Sequence, residues 1–506
     1  MPTSWESLPV KFEGGWITSM GRLDQGMSAP GSATTLQNFE VSIDGGYSRI
    51  LGYERYSNTV VPETGNIVGV VVVDNAKCIA YRNSSYFLSS GGAWTNVGTA
   101  PTPGSVRMRH DFYKFGASEK IIMVDGLNDP AIFDVASSTL TFDTLAPSDV
   151  TGANIVKVFK NHVFFAKGNI LTFTAPYTDN DYDTGDGAGS INIGSDITGL
   201  IVFREQLIVF STSKIQRIVG DTIESFQLQP IAMNTGCLCP STVQEVGGDV
   251  MYLGPDGVRY LSATERIGDF ALERASSKIQ EDITRITNTN CGYTAITIRK
   301  KNQYRLFTFI ENIGAKFSEG FIGTRFSDQN ATDIAWSKTQ GIKVYTADSR
   351  QFRDAEIVLF SSNTNYIYRM ESGNGFDGEG IPYLFETPFM PITDPRMRKT
   401  IYKNTTYVNA NGNFRITAGL RFDYNQRGVI QPPTFILGNL DDLGSTYGSS
   451  TAIYNTSKYA KALDEIYVNN TVGSGFTVAV RYEGEELGPP FTLDYTLLEY
   501  VQNERR

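Results

Sequence analysis

His162-Val163-Phe164-Phe165-Ala166 is one polar residue followed by four apolar ones. The figure recurs as K-C-I-A-Y from Lys77, K-I-I-M-V from Lys120, Q-L-I-V-F from Gln206, D-V-M-Y-L from Asp249, Y-R-L-F-T-F from Tyr304 and E-I-V-L-F from Glu356. The first four intervals are 43, 42, 44 and 43 residues, and the last two are 55 and 52. A period in the low forties is the size of a four-stranded propeller blade, a unit that must stack on its neighbours to bury its faces. Second strands follow several copies: N-I-L-T-F-T-A-P after the third, K-I-Q-R-I-V-G after the fourth and G-V-R-Y-L-S-A after the fifth. In the fifth, the turn Gly254-Pro255-Asp256-Gly257 has hairpin chemistry. Apolar residues at consecutive positions, as from Val163 to Ala166, suit strands covered on both faces. The competing arrangement, a pair of β-sandwiches, gives no reason for four nearly equal intervals.

The expected fold is therefore all-β: a β-propeller of six or seven blades with an additional C-terminal β domain and an extended N-terminal arm. The 49 Gly, 30 Phe and 26 Tyr among 506 residues agree with many short strands and turns. Residues 1–60 precede the repeat and are rich in Gly and Ser, as an arm would be; residues 61–375 hold the propeller; residues 376–506 form the C-terminal β domain. The break falls at E-S-G-N-G-F-D-G-E-G, from Glu371. Beyond it, K-T-I-Y-K-N-T-T-Y-V-N-A and N-F-R-I-T-A-G-L-R-F-D read as alternating strands joined in a hairpin at Asn411-Gly412. One helix is expected, with Leu272, Ile279, Ile283 and Ile286 on one face and Ser277 with Gln280 as a capping box. As an insertion on a blade edge it accounts for the longer fifth interval.

The net charge of −10 argues against a protein that grips nucleic acid by neutralising phosphates, though not against one that encloses it. There is no run of eighteen apolar residues, so no membrane-spanning segment is expected. M-P-T-S-W-E-S-L-P-V lacks the basic start and apolar run of a secretory signal, as expected of a chain that folds in the cytosol. Cys78, Cys237, Cys239 and Cys291 form no C-x-x-C and read as reduced cysteines, with Cys237 and Cys239 buried in a strand. Of the two histidines, neither His110 nor His162 has the neighbours of a triad or metal site.

The acidic stretch T-D-N-D-Y-D-T-G-D-G-A-G from Thr178 admits three readings. As a calcium loop it offers Asp179, Asp181 and Asp183 at positions 1, 3 and 5, but Thr184 replaces the glycine at 6 and Ser190 the glutamate at 12. A looser calcium site on those three aspartates stays open. As a glycosidase site it offers paired carboxylates, with Tyr177 and Tyr182 to stack on sugar. The reading favoured is a solvated loop between blades. G-D-G-A-G is no phosphate loop, and P-R-M-R-K at 395–399 reads as a solvated basic turn. No catalytic residue, cofactor or firm metal ligand is assigned.

L-Q-N-F-E-V-S-I-D-G-G-Y-S-R-I-L-G-Y-E-R-Y, from Leu36 to Tyr56, resembles the opening of tail nozzle proteins of short-tailed bacteriophages, also called tail tubular protein B or packaged-DNA stabilisation protein. The matching positions are Asn38, Gly45-Gly46, Arg49 and Gly52-Tyr53. The stretch from Ile170 to Leu261, with L-T-F-T-A-P leading into the acidic loop, is also similar; Thr174 stands where the family commonly has serine. R-K-T-I-Y-K-N and the closing E-Y-V-Q-N-E-R-R look like the family's terminal domain. The resemblance implies a structural, non-enzymatic virion subunit, six copies forming a ring at the distal end of the tail. Its implied partners are further copies of itself, a tail adaptor ring and tail fibres or tailspikes. Genomic double-stranded DNA would be retained and then conducted through the lumen without sequence-specific binding, and the ring would be assembled in the host cytoplasm. An acidic or mixed lumen would let DNA slide, since like charge within a Debye length of roughly 8 Å is only partly screened. The alternative is a propeller glycosidase or a calcium-dependent sugar binder acting on the host surface through the aspartate loop.

Overall fold

A computed structural model describes residues 5–503 except 105, 263–273, 288–291, 310–317, 327–333, 354, 411 and 439–464. Among these residues, seven sheets stand around one axis. Six belong to the propeller alone: five have four strands, and one, over Gln244–Val246, Asp249–Gly254 and Gly257–Tyr260, has three. The seventh position is filled by Gly292–Ile298, Gln303–Phe309, Ser318–Arg325 and Ile334–Gln340, one end of a nine-stranded sheet that continues into the C-terminal region. The seven copies of the sequence repeat are the seven second strands: Cys78–Arg82, Lys120–Val124, His162–Lys167, Gln206–Ser211, Asp249–Gly254, Gln303–Phe309 and Ala355–Ser361.

These strands are apolar throughout because each is packed from both sides. Val163, Phe165 and Ile122 share one inter-blade core, while Phe164 and Ala166 share the next with Leu207 and Val209. Inner and second strands meet in two-residue turns, at Lys160-Asn161 (φ 45° and 65°) and again at Arg204-Glu205 (φ 47° and 60°). Both central residues are left-handed, the conformation whose twist matches a hairpin of right-twisted strands. Gly254 and Gly257 pair across the turn expected in the fifth blade.

The last blade is closed by the start of the chain. Tyr53–Arg55 pairs antiparallel with Ile367–Met370, Met370 opposite Tyr53, as the fourth strand of the sheet that includes Ala355–Ser361. From Glu6 to Arg49 the chain runs between the C-terminal sheets and the sixth blade. Glu6–Lys11 pairs with Phe491–Gln502, and Phe39–Val41 and Tyr47–Arg49 extend the same seven-stranded sheet. Thr35–Gln37 bridges the nine-stranded sheet, with Gln37 beside Lys338 of the sixth blade and Leu36 beside Phe385. One core accordingly holds Phe12, Trp16, Trp336, Phe385, Tyr482 and Phe491 together.

Three local expectations are corrected. Lys399–Ala410 and Arg415–Phe422 do not form a hairpin: the first pairs with Phe491–Gln502 and Ile466–Asn469, the second with Val478–Glu486 and Phe435–Gly438, so the chain changes sheet between them. Asn411 itself lies outside the described residues, as do Leu272, Cys291 and the final Glu504-Arg505-Arg506. The helix begins as a tighter turn, Ser277–Ile279, before Gln280–Thr287, and it is the Ser276 hydroxyl, not that of Ser277, that meets Gln280 Oε1, at 3.3 Å. Ile279, Ile283 and Ile286 are buried, and the helix lies against Gly257–Tyr260, the outer strand of the three-stranded blade. The glycine-rich break near residue 376 is packed rather than loose: Phe376 is buried and stacks on Tyr53 at 5.2 Å.

Candidate functional site

The aspartate stretch joins Ile170–Phe173 to Gly189–Asn192, which are paired strands of one sheet, so it is a loop within a blade and not between blades. Its carboxylates turn to separate tasks. Asp179 Oδ2 accepts from Tyr113 Oη and Lys120 Nζ, both at 2.7 Å, fastening the loop to the preceding blade. Asp181 Oδ1 accepts from the amide of Asp183 at 3.0 Å, and Asp183 Oδ1 caps the short turn Thr184–Asp186 through the amide of Gly185 at 2.8 Å. Tyr182 donates to Asp143 Oδ2 at 2.7 Å, and burial raises that carboxyl above its ordinary range. Among the described residues, no three His, Cys, Asp or Glu side chains are grouped to hold a metal ion.

His162 is buried, its Nδ1 2.6 Å from the carbonyl oxygen of Thr174. Cys237 is buried too, in a loop and not in the expected strand, 3.2 Å from the carbonyl oxygen of Cys239; burial pushes its thiol up to about 12. In the basic turn, Arg396 pairs with Asp394 at 3.0 Å, Arg398 Nε donates to Ser474 Oγ and Lys399 Nζ donates to the carbonyls of Pro391 and Asp394. That cluster ties its turn together and fastens it to the strand Gly473–Gly475.

The innermost strands enclose a cavity of about 640 Å³ on the axis. Sequence reasoning passed over most of its polar lining. His110 Nε2 lies 3.4 Å from Asp348 Oδ2, and Lys157 Nζ lies 2.9 Å from Asp111 Oδ1. Asp348 is half-buried, which alone would raise its carboxyl; His110 and the amides of Val72 and Ser349 outweigh burial and hold it low. Arg350 pairs with Glu119 at 2.5 Å and lies over the Phe112 ring. At one end Arg107 crosses from the second blade to the sixth, donating to Tyr293 O and Thr294 Oγ1. Arg109 lies close by, its Nη1 donating to Asn154 O at 2.9 Å. The available signal was the charged run R-M-R-H-D, Arg107 to Asp111, a short distance before the second repeat copy, where an innermost strand must lie.

The residues that carry the family resemblance meet where propeller and C-terminal sheets join. Asn38 donates through Nδ2 to Gln340 O at 2.9 Å and Pro382 O at 2.6 Å, and its Oδ1 accepts from the Gln340 amide at 2.8 Å. One side chain thus bridges the sixth blade and the strand Ile381–Glu386. Arg49 is fully buried and donates to the carbonyls of Asn374, Glu486 and Gly488; burial lowers its pKa from the ordinary value. Gly52 lies so close to Gly375 that a Cβ would stand 1.9 Å from its carbonyl oxygen.

No family model and no curated protein matches the chain. Among solved structures it is similar to the extracellular domain of a one-component system from B. thetaiotaomicron, at 9% identity and a TM-score of 0.41, over 68% of this chain and 46% of that one. It therefore spans about half the length of that protein. It is also similar to YCF48 bound to a D1 peptide (11% identity, TM-score 0.38) and to the computationally designed Ika8 protein (11%, 0.32), each over 63% of this chain and 99% of the other. Likenesses this slight say nothing of activity or partners. No helix among the described residues is long and apolar enough to cross a membrane.

Proposed function

We propose that this chain is a structural subunit of the tail nozzle of a short-tailed bacteriophage, acting without catalysing a reaction. It would form a ring, six copies in the family it resembles, below a tail adaptor ring and beside fibres or tailspikes. There it would retain the packaged genome and conduct it during ejection. The observation that carries this reading is that the resembling segment, Leu36 to Tyr56, is the part of the chain that locks propeller to C-terminal sheets through Asn38, Arg49 and Gly52.

The axial cavity, at about 640 Å³, has the size of a small-molecule pocket and not of a duplex channel. DNA would instead pass through a bore between subunits, where the net charge of −10 favours sliding over gripping. Ring contacts would fall on the C-terminal region. Ile430, Ile466, Val468, Val472 and Leu487 are exposed there, and the edge strands Phe435–Gly438 and Ile466–Asn469 lie side by side. A second copy is the occupant that such edges and apolar side chains suit.

The test is negative-stain electron microscopy of the purified protein, alone and mixed with its virus's portal–adaptor complex. Sixfold rings capping that complex are expected. Dispersed monomers that ignore it would overturn the reading and favour the sugar-binding alternative.

A further inference from the structure

Among the described residues that line the axial cavity, every guanidinium and ammonium group but one has a carboxylate partner. Lys157 has Asp111, Arg350 has Glu119, and Arg299 has Glu356 at 3.1 Å. Arg109 has no carboxylate within ion-pair distance among the described residues. Its Nη1 is taken up by Asn154 O, and its Nε is buried without an acceptor. An uncompensated cation in such a place is costly, and a protein usually pairs it or neutralises it.

We propose that the axial cavity is a binding site for a small oxyanion, a carboxylate or phosphate group, held by Arg109. The guanidinium edge formed by Nε and Nη2 presents two parallel N–H groups, the geometry that meets two oxygens of either group. Nε is screened from water-sized atoms as the side chain stands, so the oxyanion engages Nη2 first and Nε once the guanidinium turns. A cavity of about 640 Å³ holds a ligand of several heavy atoms. Asp111 does not oppose it strongly, since Lys157 faces it, whereas Asp348 faces His110, which carries charge only when protonated. Glu245, exposed and without an ion pair among the described residues, does oppose it. The site takes an anion in spite of the chain's net negative charge because the potential is local to the Arg109 end.

The experiment is calorimetric titration of the full chain with inorganic phosphate and, separately, with citrate, in a buffer free of other oxyanions. Saturable binding of one or both is expected, weakened at least tenfold in Arg109→Gln and strengthened in Glu245→Gln. Opposite responses at two lining residues are not what a purely structural role would give. The probe that titrates names the class, phosphate or carboxylate. Absence of saturable binding, or equal binding by Arg109→Gln, overturns the proposal. Should Arg109→Gln fail to fold, crystals of the unaltered chain soaked in tungstate decide: an anion peak in the cavity beside Arg109 supports the site, and peaks only on the outer surface, or none, overturn it.

Discussion

Glu40 and Arg305, 265 positions apart in the chain, face one another with Oε2 and Nη2 at 2.9 Å. Glu40 belongs to Phe39–Val41 of the seven-stranded sheet, and Arg305 to the second strand of the sixth blade. Lys301 and Glu371 complete the group: Lys301 reaches Glu40 at 2.6 Å and also meets Glu371, while Arg305 reaches Glu371 at 2.7 Å. Two cations and two carboxylates therefore alternate around a closed circuit that links propeller and C-terminal sheets.

Arg305→Met leaves two carboxylates facing Lys301 alone, and the expected loss is about 3–5 kcal/mol, the cost of stranding a buried charge. Arg305→Met combined with Glu371→Gln restores one cation to one anion and should recover a large part of that loss. Urea unfolding of the parent, the two single variants and the double variant checks this. Additive losses would mean that the four groups are not coupled.

Acid should act through the same circuit. Burial would raise the Glu371 carboxyl, but Arg305 and Lys301 outweigh it and hold the group below its ordinary value of 4.5. The unfolded chain then binds the proton first on acidification. The contribution is complete above pH of about 4.5 and is lost as pH falls through the lower folded value. Melting temperatures recorded from pH 7 to pH 3 should be level at first and drop below pH of about 4.5. Glu371→Gln should lessen the drop, and an undiminished drop would locate the acid sensitivity elsewhere, Asp348 being the next group to change.

Two glycines of the resembling segment should differ sharply. At Gly52 a Cβ would meet backbone at 1.9 Å, so Gly52→Ala must move Gly375 and should cost about 3 kcal/mol, the upper end for overpacking. Gly45 has open space around it and a φ of 104°, so Gly45→Ala should cost only the backbone strain, about 1–2 kcal/mol. Thermal unfolding of both variants ranks them.

In the aspartate loop, Asp181→Asn should change stability by no more than about 0.5 kcal/mol, as for a surface position. Asp179→Asn should cost about 1–3 kcal/mol, because the Lys120 and Tyr113 donors then lose a charged acceptor. Added calcium should leave the melting temperature of the parent chain unchanged. A calcium-dependent rise abolished by Asp181→Asn would instead favour the sugar-binding alternative.

Ile466→Glu with Val468→Glu places charge on an exposed edge strand and should weaken self-association while leaving the melting temperature within a few degrees. Sedimentation velocity on parent and variant reads the difference directly. Unaltered assembly would move the ring contact away from this edge.

The repeat was legible because each second strand is packed from both sides, so that Val163 to Ala166 or Leu207 to Phe210 must all be apolar. Nothing local in Lys399–Ala410 says that its partner is Phe491–Gln502 rather than the strand that follows it, since alternation fixes a face and not a neighbour. The destination of the first 60 residues was hidden for the same reason. Asp179 looked like one of a cluster, yet its partners Tyr113 and Lys120 come from about 60 residues away, and only the fold turns it from its neighbours. Arg109 stood beside His110 in a run read for its histidine alone; its significance depends on which carboxylates reach the other cavity cations.

The seam between Tyr53–Arg55 and Ile367–Met370 also sets a timetable. At roughly 5–20 residues per second, Met370 leaves the ribosome on the order of 15–60 s after Tyr53. Through that interval the early strand has no sheet to join, and the nascent ring is a broken circle whose free edge can capture a strand from a neighbouring chain. A longer delay separates Glu6–Lys11 from its partner Phe491–Gln502. Closure of the propeller must therefore await Ile367–Met370, long after the first blades have been made.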